Sequence, residues 1–203
     1  MDGRVLPHHM RRIAVLVGVV LVVSSEGGTR ASAERTLVAH DFSTSAQGWL
    51  IAGDTGDVLP IFAPVGGHPG GYISNVDEAV GETWYYRAPG SALRQLSAAE
   101  HGVLKYDLEQ SETDAGFPDD DVVIVGPAGR LSYRFDHAPG TTWTTFTVPL
   151  SASAGWRWNW NQPATEDQIH RVLAAPARLE IRGEYRTGPD VGGLDNFMLI
   201  ARE

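Results

Sequence analysis

LEIRGEYR, residues 179–186, alternates apolar and polar side chains along its length. Leu179, Ile181, Gly183 and Tyr185 fall on one side of an extended chain, and Glu180, Arg182, Glu184 and Arg186 on the other. Successive strand side chains point to opposite faces, so the pattern predicts a strand with one buried and one wet face. Immediately upstream, TEDQ (165–168) is a capping box, with a hydroxyl at the N-cap and an amide three residues on. Ile169, Val172 and Leu173 then give one apolar face, and Pro176 ends a short helix near 166–174.

Outward from this stretch, β-rich runs recur between Gly, Pro and Asp clusters. They cover 36–42, 49–52, 58–64, 71–77, 83–88, 103–109, 121–125, 130–135, 142–150, 177–186 and 194–200. Eleven short strands with one helix predict an all-β, antiparallel sandwich and not a parallel α/β sheet. The chain has 203 residues, 42% apolar and 20% charged, which suits one domain with an appendage. Its 6 Trp, 6 Tyr and 6 Phe set it apart from disordered sequences. The absence of Cys excludes a disulfide scaffold, a thiolate metal site and a Cys nucleophile. A net charge of −9 argues against nucleic acid as a partner, since no basic surface exists to displace counterions from phosphates.

Residues 1–33 read as a secretory signal peptide. Arg4, Arg11 and Arg12 precede an apolar run from Ile13 to Val23, and Ala31-Ser32-Ala33 supplies a small-x-small cleavage pattern. Eleven apolar residues are too few for a bilayer core of ~30 Å, which needs about 20 helical residues. Cleavage after Ala33 leaves a domain over 34–203. It removes four Arg and two acids, so 12 basic and 23 acidic residues remain, a net charge of −11. A domain of this length can hold itself by core burial. No second apolar run offers a membrane span. The expected location is outside the cytoplasm, periplasmic or extracellular.

The second half resembles the laminin B domain, also called laminin IV type A. The resemblance rests on DVVIVGPAGRLSYRF (121–135), WTTFTVPL (143–150), GWR (155–157), PATEDQIHRVLAAPARLEIRGEY (163–185) and GGLDNFML (192–199). Upstream, GGYISNVDEAVGETWYYRAP (70–89) and GVLKYDL (102–108) are similar to the family's earlier strands. The segment PGSALRQLSAAEH (89–101) departs from the family pattern, and WNWN (158–161) is a local elaboration. In laminins this module interrupts a Cys-rich array; without Cys, the chain is expected to be a solitary secreted copy, of bacterial type. The resemblance implies a jelly-roll sandwich like those of galactose-binding and carbohydrate-binding modules. It carries over no catalytic residues.

Four constellations bear on chemistry. Trp156, Trp158 and Trp160 share one face if WRWNW is extended, and exposed indoles stack on sugar rings. Trp158 and Trp160 are candidate ligand contacts; the alternative packs them onto the sandwich end. Jelly-roll modules of this type often tie first strand to last with a structural calcium ion, Ca2+. Asp41 and Asp195, with Asp77, are candidate oxygen ligands. The alternative makes Asp195 a turn residue and leaves Asp41 solvated. Asp119-Asp120-Asp121 reads as a solvated turn. The polar face of 180–186 is either solvated or a ligand-gripping surface, with Arg182 as a planar donor fork and Glu184 as acceptor. Catalysis finds little support: there is no HExxH and no GxSxG. The expected function is secreted, non-catalytic recognition or adhesion, with a protein surface or an extracellular glycan as partner. A carbohydrate-binding module is the alternative, and a polysaccharide-active enzyme a lesser one.

Overall fold

The computed structural model describes residues 33–53, 56–77 and 81–202. The leader reading falls on residues outside this set, apart from Ala33. The strands β1 (Glu34–His40), β2 (Leu50–Ala52), β3 (Ile61–Gly67), β4 (Gly70–Val76) and β5 (Tyr85–Arg87) come first. A short helix, α1 (Gly90–Leu93), leads to β6 (Val103–Gln110), β7 (Val122–Gly126), β8 (Gly129–Tyr133) and β9 (Thr144–Pro149). Then follow β10 (Arg157–Trp158), β11 (Gln162–Pro163), α2 (Glu166–Ala174), β12 (Arg178–Arg182) and β13 (Val191–Arg202). Each of the eleven expected runs overlaps a strand. The WNWN segment adds β10 and β11, which pair with each other.

Among the described residues the strands form two antiparallel sheets. One runs β3-β4-β13-β6-β9, with β1 also on β13; the other runs β11-β10-β8-β7-β12-β5-β2. The long β13 organises the first sheet. Its first half pairs with β4 through Leu194↔Ile73, and its second half with β1 through His40↔Phe197. Along its other edge lies β6. The ladder slips between Asp195 and Met198, where Asn196 adopts a φ of 50. The extra residue keeps Leu194 and Phe197 both pointing inward.

Alternation explains why the layers close on each other. Leu104, Tyr106 and Leu108 of β6 meet Ile124, Leu131, Leu179 and Ile181 of the second sheet in one apolar core. Helix α2 forms as read. The Thr165 hydroxyl accepts the Gln168 amide and the Gln168 side chain accepts the Thr165 amide, closing the capping box. Ile169, Val172 and Leu173 are buried.

The strand β12 corrects the expectation of a wet face. Both of its faces are covered from Leu179 onward. Glu180 accepts the Arg87 guanidinium at 2.8 Å, and Arg182 is 3% exposed. The guanidinium of Arg182 lies between the rings of Phe117 and Tyr185, 4.6 and 4.4 Å from their centroids. Beyond β12, the indole of Trp84 covers Gly183: a Cβ there would sit 1.8 Å from the ring. A glycine inside a β run marks a close approach, and here what approaches is an aromatic ring.

Candidate functional site

Because Leu104, Tyr106 and Leu108 point into the core, Lys105, Asp107 and Glu109 point out of the six-stranded sheet. Register then sets their neighbours. Gly193 of β13 sits between Ser74 of β4 and Glu109 of β6. Asp195 pairs with Asp107, and Asp107 in turn with Thr145 of β9. Tyr72, two residues from Ser74, lies on the same face of β4.

These residues bound a groove of about 240 Å3, lined by Tyr72, Ser74, Glu109, Gln110, Thr141 and Gly193 among others. Glu109 and Trp143 lie close over Gly193, which has no side chain to hold them off. A Cβ there would meet Glu109 Cγ and Trp143 Cη2, each at 3.0 Å. Tyr72 and Trp143 meet edge to face at 5.4 Å, with an interplanar angle of 79°. The indole Nε1–H donates to the Gly66 carbonyl at 3.0 Å, tying the wall to the β3–β4 turn. The volume lies below the ~300–1,000 Å3 of drug-sized sites and suits one ring-sized group. Burial pushes the Glu109 carboxyl above its ordinary range.

The β3–β4 turn is fastened beside the groove by buried acids. Asp195 is fully buried and accepts the His68 amide at 2.6 Å and the Asn196 amide at 2.7 Å. The Asn196 amide group donates to Asp107 at 2.8 Å and to the His68 carbonyl. His68 Nδ1 lies 3.0 Å from Asp107. Desolvation, and then the neighbouring Asp107 charge, raise the pKa of Asp195.

Register separates Asp77 from the other two acids expected to hold calcium, and bonds within the fold engage those two. The Asp41 carboxylate caps its own loop, accepting from the Ser43 amide and hydroxyl. The Asp77 amide bonds the Asp190 carbonyl, level with the start of β13. Asp195 is five residues further on, about 16 Å along a strand. Both Asp195 oxygens already accept amides, so this donor set does not fit a hard cation. Among the described residues no group of three or more His, Cys, Asp and Glu is arranged for a metal.

The other expected contacts are also separated. Trp158 is half-buried against the core, its ring over Gly129. Trp160 is 66% exposed, with the Arg130 guanidinium 4.2 Å from its ring. Arg182 donates to the carbonyls of Glu184 and Phe117 and lies 3.8 Å from Asp121, so its fork is occupied within the fold. Glu184 accepts the Trp84 amide, and burial raises its pKa. The acidic triplet is not a solvated turn. Asp119 accepts from Thr83, Asp120 pairs with Arg130 and Arg134, and Asp121 is buried and accepts the Phe135 amide.

Tyr72, Glu109 and Trp143 were not singled out as site residues in the sequence. The only local signal was the alternation of LKYDLE (104–109), which places Glu109 on an outward face.

Comparison with known proteins agrees with this architecture. The L4b domain of human laminin alpha-2 superposes with a TM-score of 0.62 at 14% identity, covering 82% of this chain and 99% of that one. The solution structure of CtCBM11 gives 0.44 at 14% identity, covering 85% and 98%. A beta-1,2-glucanase from Parabacteroides distasonis gives 0.41 at 14% identity, covering 83% of this chain and 23% of the enzyme. No curated protein matches the sequence. The family pattern described as Laminin B (Domain IV) matches residues 85–201. More than half of the sequence carries that pattern and the fold follows the laminin L4b sandwich, so the chain belongs to the laminin B (domain IV) family.

Proposed function

We propose that this chain is a non-catalytic recognition module that binds a glycan in the groove on the outer face of its six-stranded sheet. The observation that carries this reading is the pair of aromatic side chains, Tyr72 and Trp143, meeting edge to face on the outer surface of this sheet beside the groove. An aromatic face stacks on the C–H face of a pyranose. Ser74, Glu109 and Thr141 offer hydroxyl partners around it. Strands on a packed core hold these groups, so the site is formed before ligand arrives. Trp160 is a further aromatic contact on the other sheet, with one face taken by Arg130. The module works outside the cytoplasm. The reading of residues 1–33 supports this; in addition, no helix among the described residues is long and apolar enough to cross a membrane.

The test is a broad glycan array followed by titration of a hit against Trp143→Ala and Tyr72→Ala. Binding weakened at least ~10-fold by either change supports the reading. An array without hits removes it. A second reading, contact with a protein surface, is favoured by exposed Leu59, Ile61 and Val65 in and beside edge strand β3. It is tested by pull-down with Ile61→Asp as the control.

A further inference from the structure

The groove holds one charged group without a counterpart. Of the described residues that line it, Glu109 alone is charged. Its carboxylate is half-buried, and among the described residues no donor or cation is bonded to it. Two further acids stand in the adjoining row of the same face, Asp107 and Asp195, and both are buried. Behind the Ser111 wall lies Asp190, 1% exposed, with one carboxylate oxygen lacking any partner. Where the groove opens past Val191, Arg186 is within reach, but Asp114 neutralises it at 2.9 Å. Lys105 lies on this face beyond Asp107, so an acid separates it from Glu109.

Aromatic walls act in the same direction. The faces of Tyr72 and Trp143 carry the negative side of the ring quadrupole, which attracts a cation. A half-desolvated carboxylate beside such rings is poorly hydrated; an ammonium group restores both its charge balance and its hydrogen bonds. An anionic sugar would instead meet Glu109 at short range in a medium of reduced dielectric.

Resting on the glycan reading of this groove, we infer that its ligand carries a protonated amine: an amino-glycan whose 2-amino group lies against Glu109 beside the Tyr72–Trp143 pair. Neutral glycans then bind more weakly, and uronate-bearing ones are rejected.

The test is calorimetric titration of the protein with four tetrasaccharides: β-1,4-glucosamine, its N-acetylated form, cellotetraose and a galacturonate oligomer. The glucosamine tetramer is expected to bind about tenfold tighter than cellotetraose, with the galacturonate oligomer weakest. Glu109→Gln is expected to cut that ratio at least fivefold while its melting midpoint stays near wild type. Should the variant fold poorly, the wild-type protein decides the matter through ionic strength: the preference must shrink between 0.05 and 0.5 M salt. Equal binding of glucosamine and cellotetraose overturns the inference and leaves the glycan reading standing. So does a preference that survives in Glu109→Gln or ignores salt. If none of the four binds while the array gives other hits, the inference alone falls; if the array is empty, both fall.

Discussion

Gly193 and Gly183 differ in what a side chain would meet. At Gly193 the obstacles are Glu109 Cγ and Trp143 Cη2 on the half-exposed face of the sheet, each at 3.0 Å, so a few tenths of an ångström of give suffice. Gly193→Val should therefore keep the fold, moving the melting midpoint by no more than about 4 °C. Glycan binding should be lost, because Glu109 and Trp143 are pushed from their places. At Gly183 the obstacle is the Trp84 ring, itself packed on Gly192 and edge to face with Tyr86. Gly183→Val should destabilise by about 3 kcal/mol in urea unfolding, since the ring has nowhere to go. A wild-type midpoint for Gly183→Val contradicts the packing described. Gly183 was legible in the sequence, as a glycine inside the alternating run 179–186. Gly193 was not, since its meaning comes from Glu109 and Trp143, each on another strand or the loop leading into one. Arg182 misled for a related reason. Its partner Phe117 lies 65 residues away in sequence, and no local pattern records that a loop covers that face.

Elements were easier to read than their surroundings. The cap of α2, its apolar stripe and the runs of strand all follow from short-range patterns, and each is present. Thr165→Ala should cost about 1 kcal/mol, measured by thermal or denaturant unfolding, because the N-cap hydroxyl is the acceptor for the Gln168 amide. The calcium reading joined Asp41, Asp77 and Asp195 by their positions near strand ends. Register sets Asp77 level with the start of β13, about 16 Å from Asp195 along the strand, and the Asp41 carboxylate turns back to Ser43. What Asp195 does instead is hold the β3–β4 turn. Asp195→Ala deprives the His68 and Asn196 amides of their acceptor, at a cost of about 1–3 kcal/mol. Amide exchange over residues 66–70 should quicken, as the turn loses its fastening to β13. Unchanged exchange there would show that the acid pair is not the fastening.

The molecule as a whole should respond to pH in a defined direction. Burial holds Glu109, Asp121, Glu184 and Asp195 above the ordinary carboxylate range. A group with a raised folded pKa binds more protons in the native state. Its stabilising contribution is full below the unfolded pKa and is lost as pH rises through the folded one. His40 acts oppositely, since burial lowers its pKa and its contribution is lost as pH falls. Asp41, held low by Ser43, works against the native state only as pH falls through the ordinary carboxylate range and below. Net charge also falls toward zero near pH 5.2, easing self-repulsion. The melting midpoint is therefore expected to rise between pH 7 and about pH 5 and to fall in stronger acid. A steady decline from pH 7 downward would contradict that balance. Whether the outer face of the six-stranded sheet is where this laminin B domain meets its ligand is decided by one titration. An amide and indole NMR map is recorded as a glycan from the array is added. Shifts at Tyr72, Glu109, Gly193 and the Trp143 indole N–H are expected. Shifts confined to Trp160 and Arg130, with that face silent, would place the ligand elsewhere and end the account.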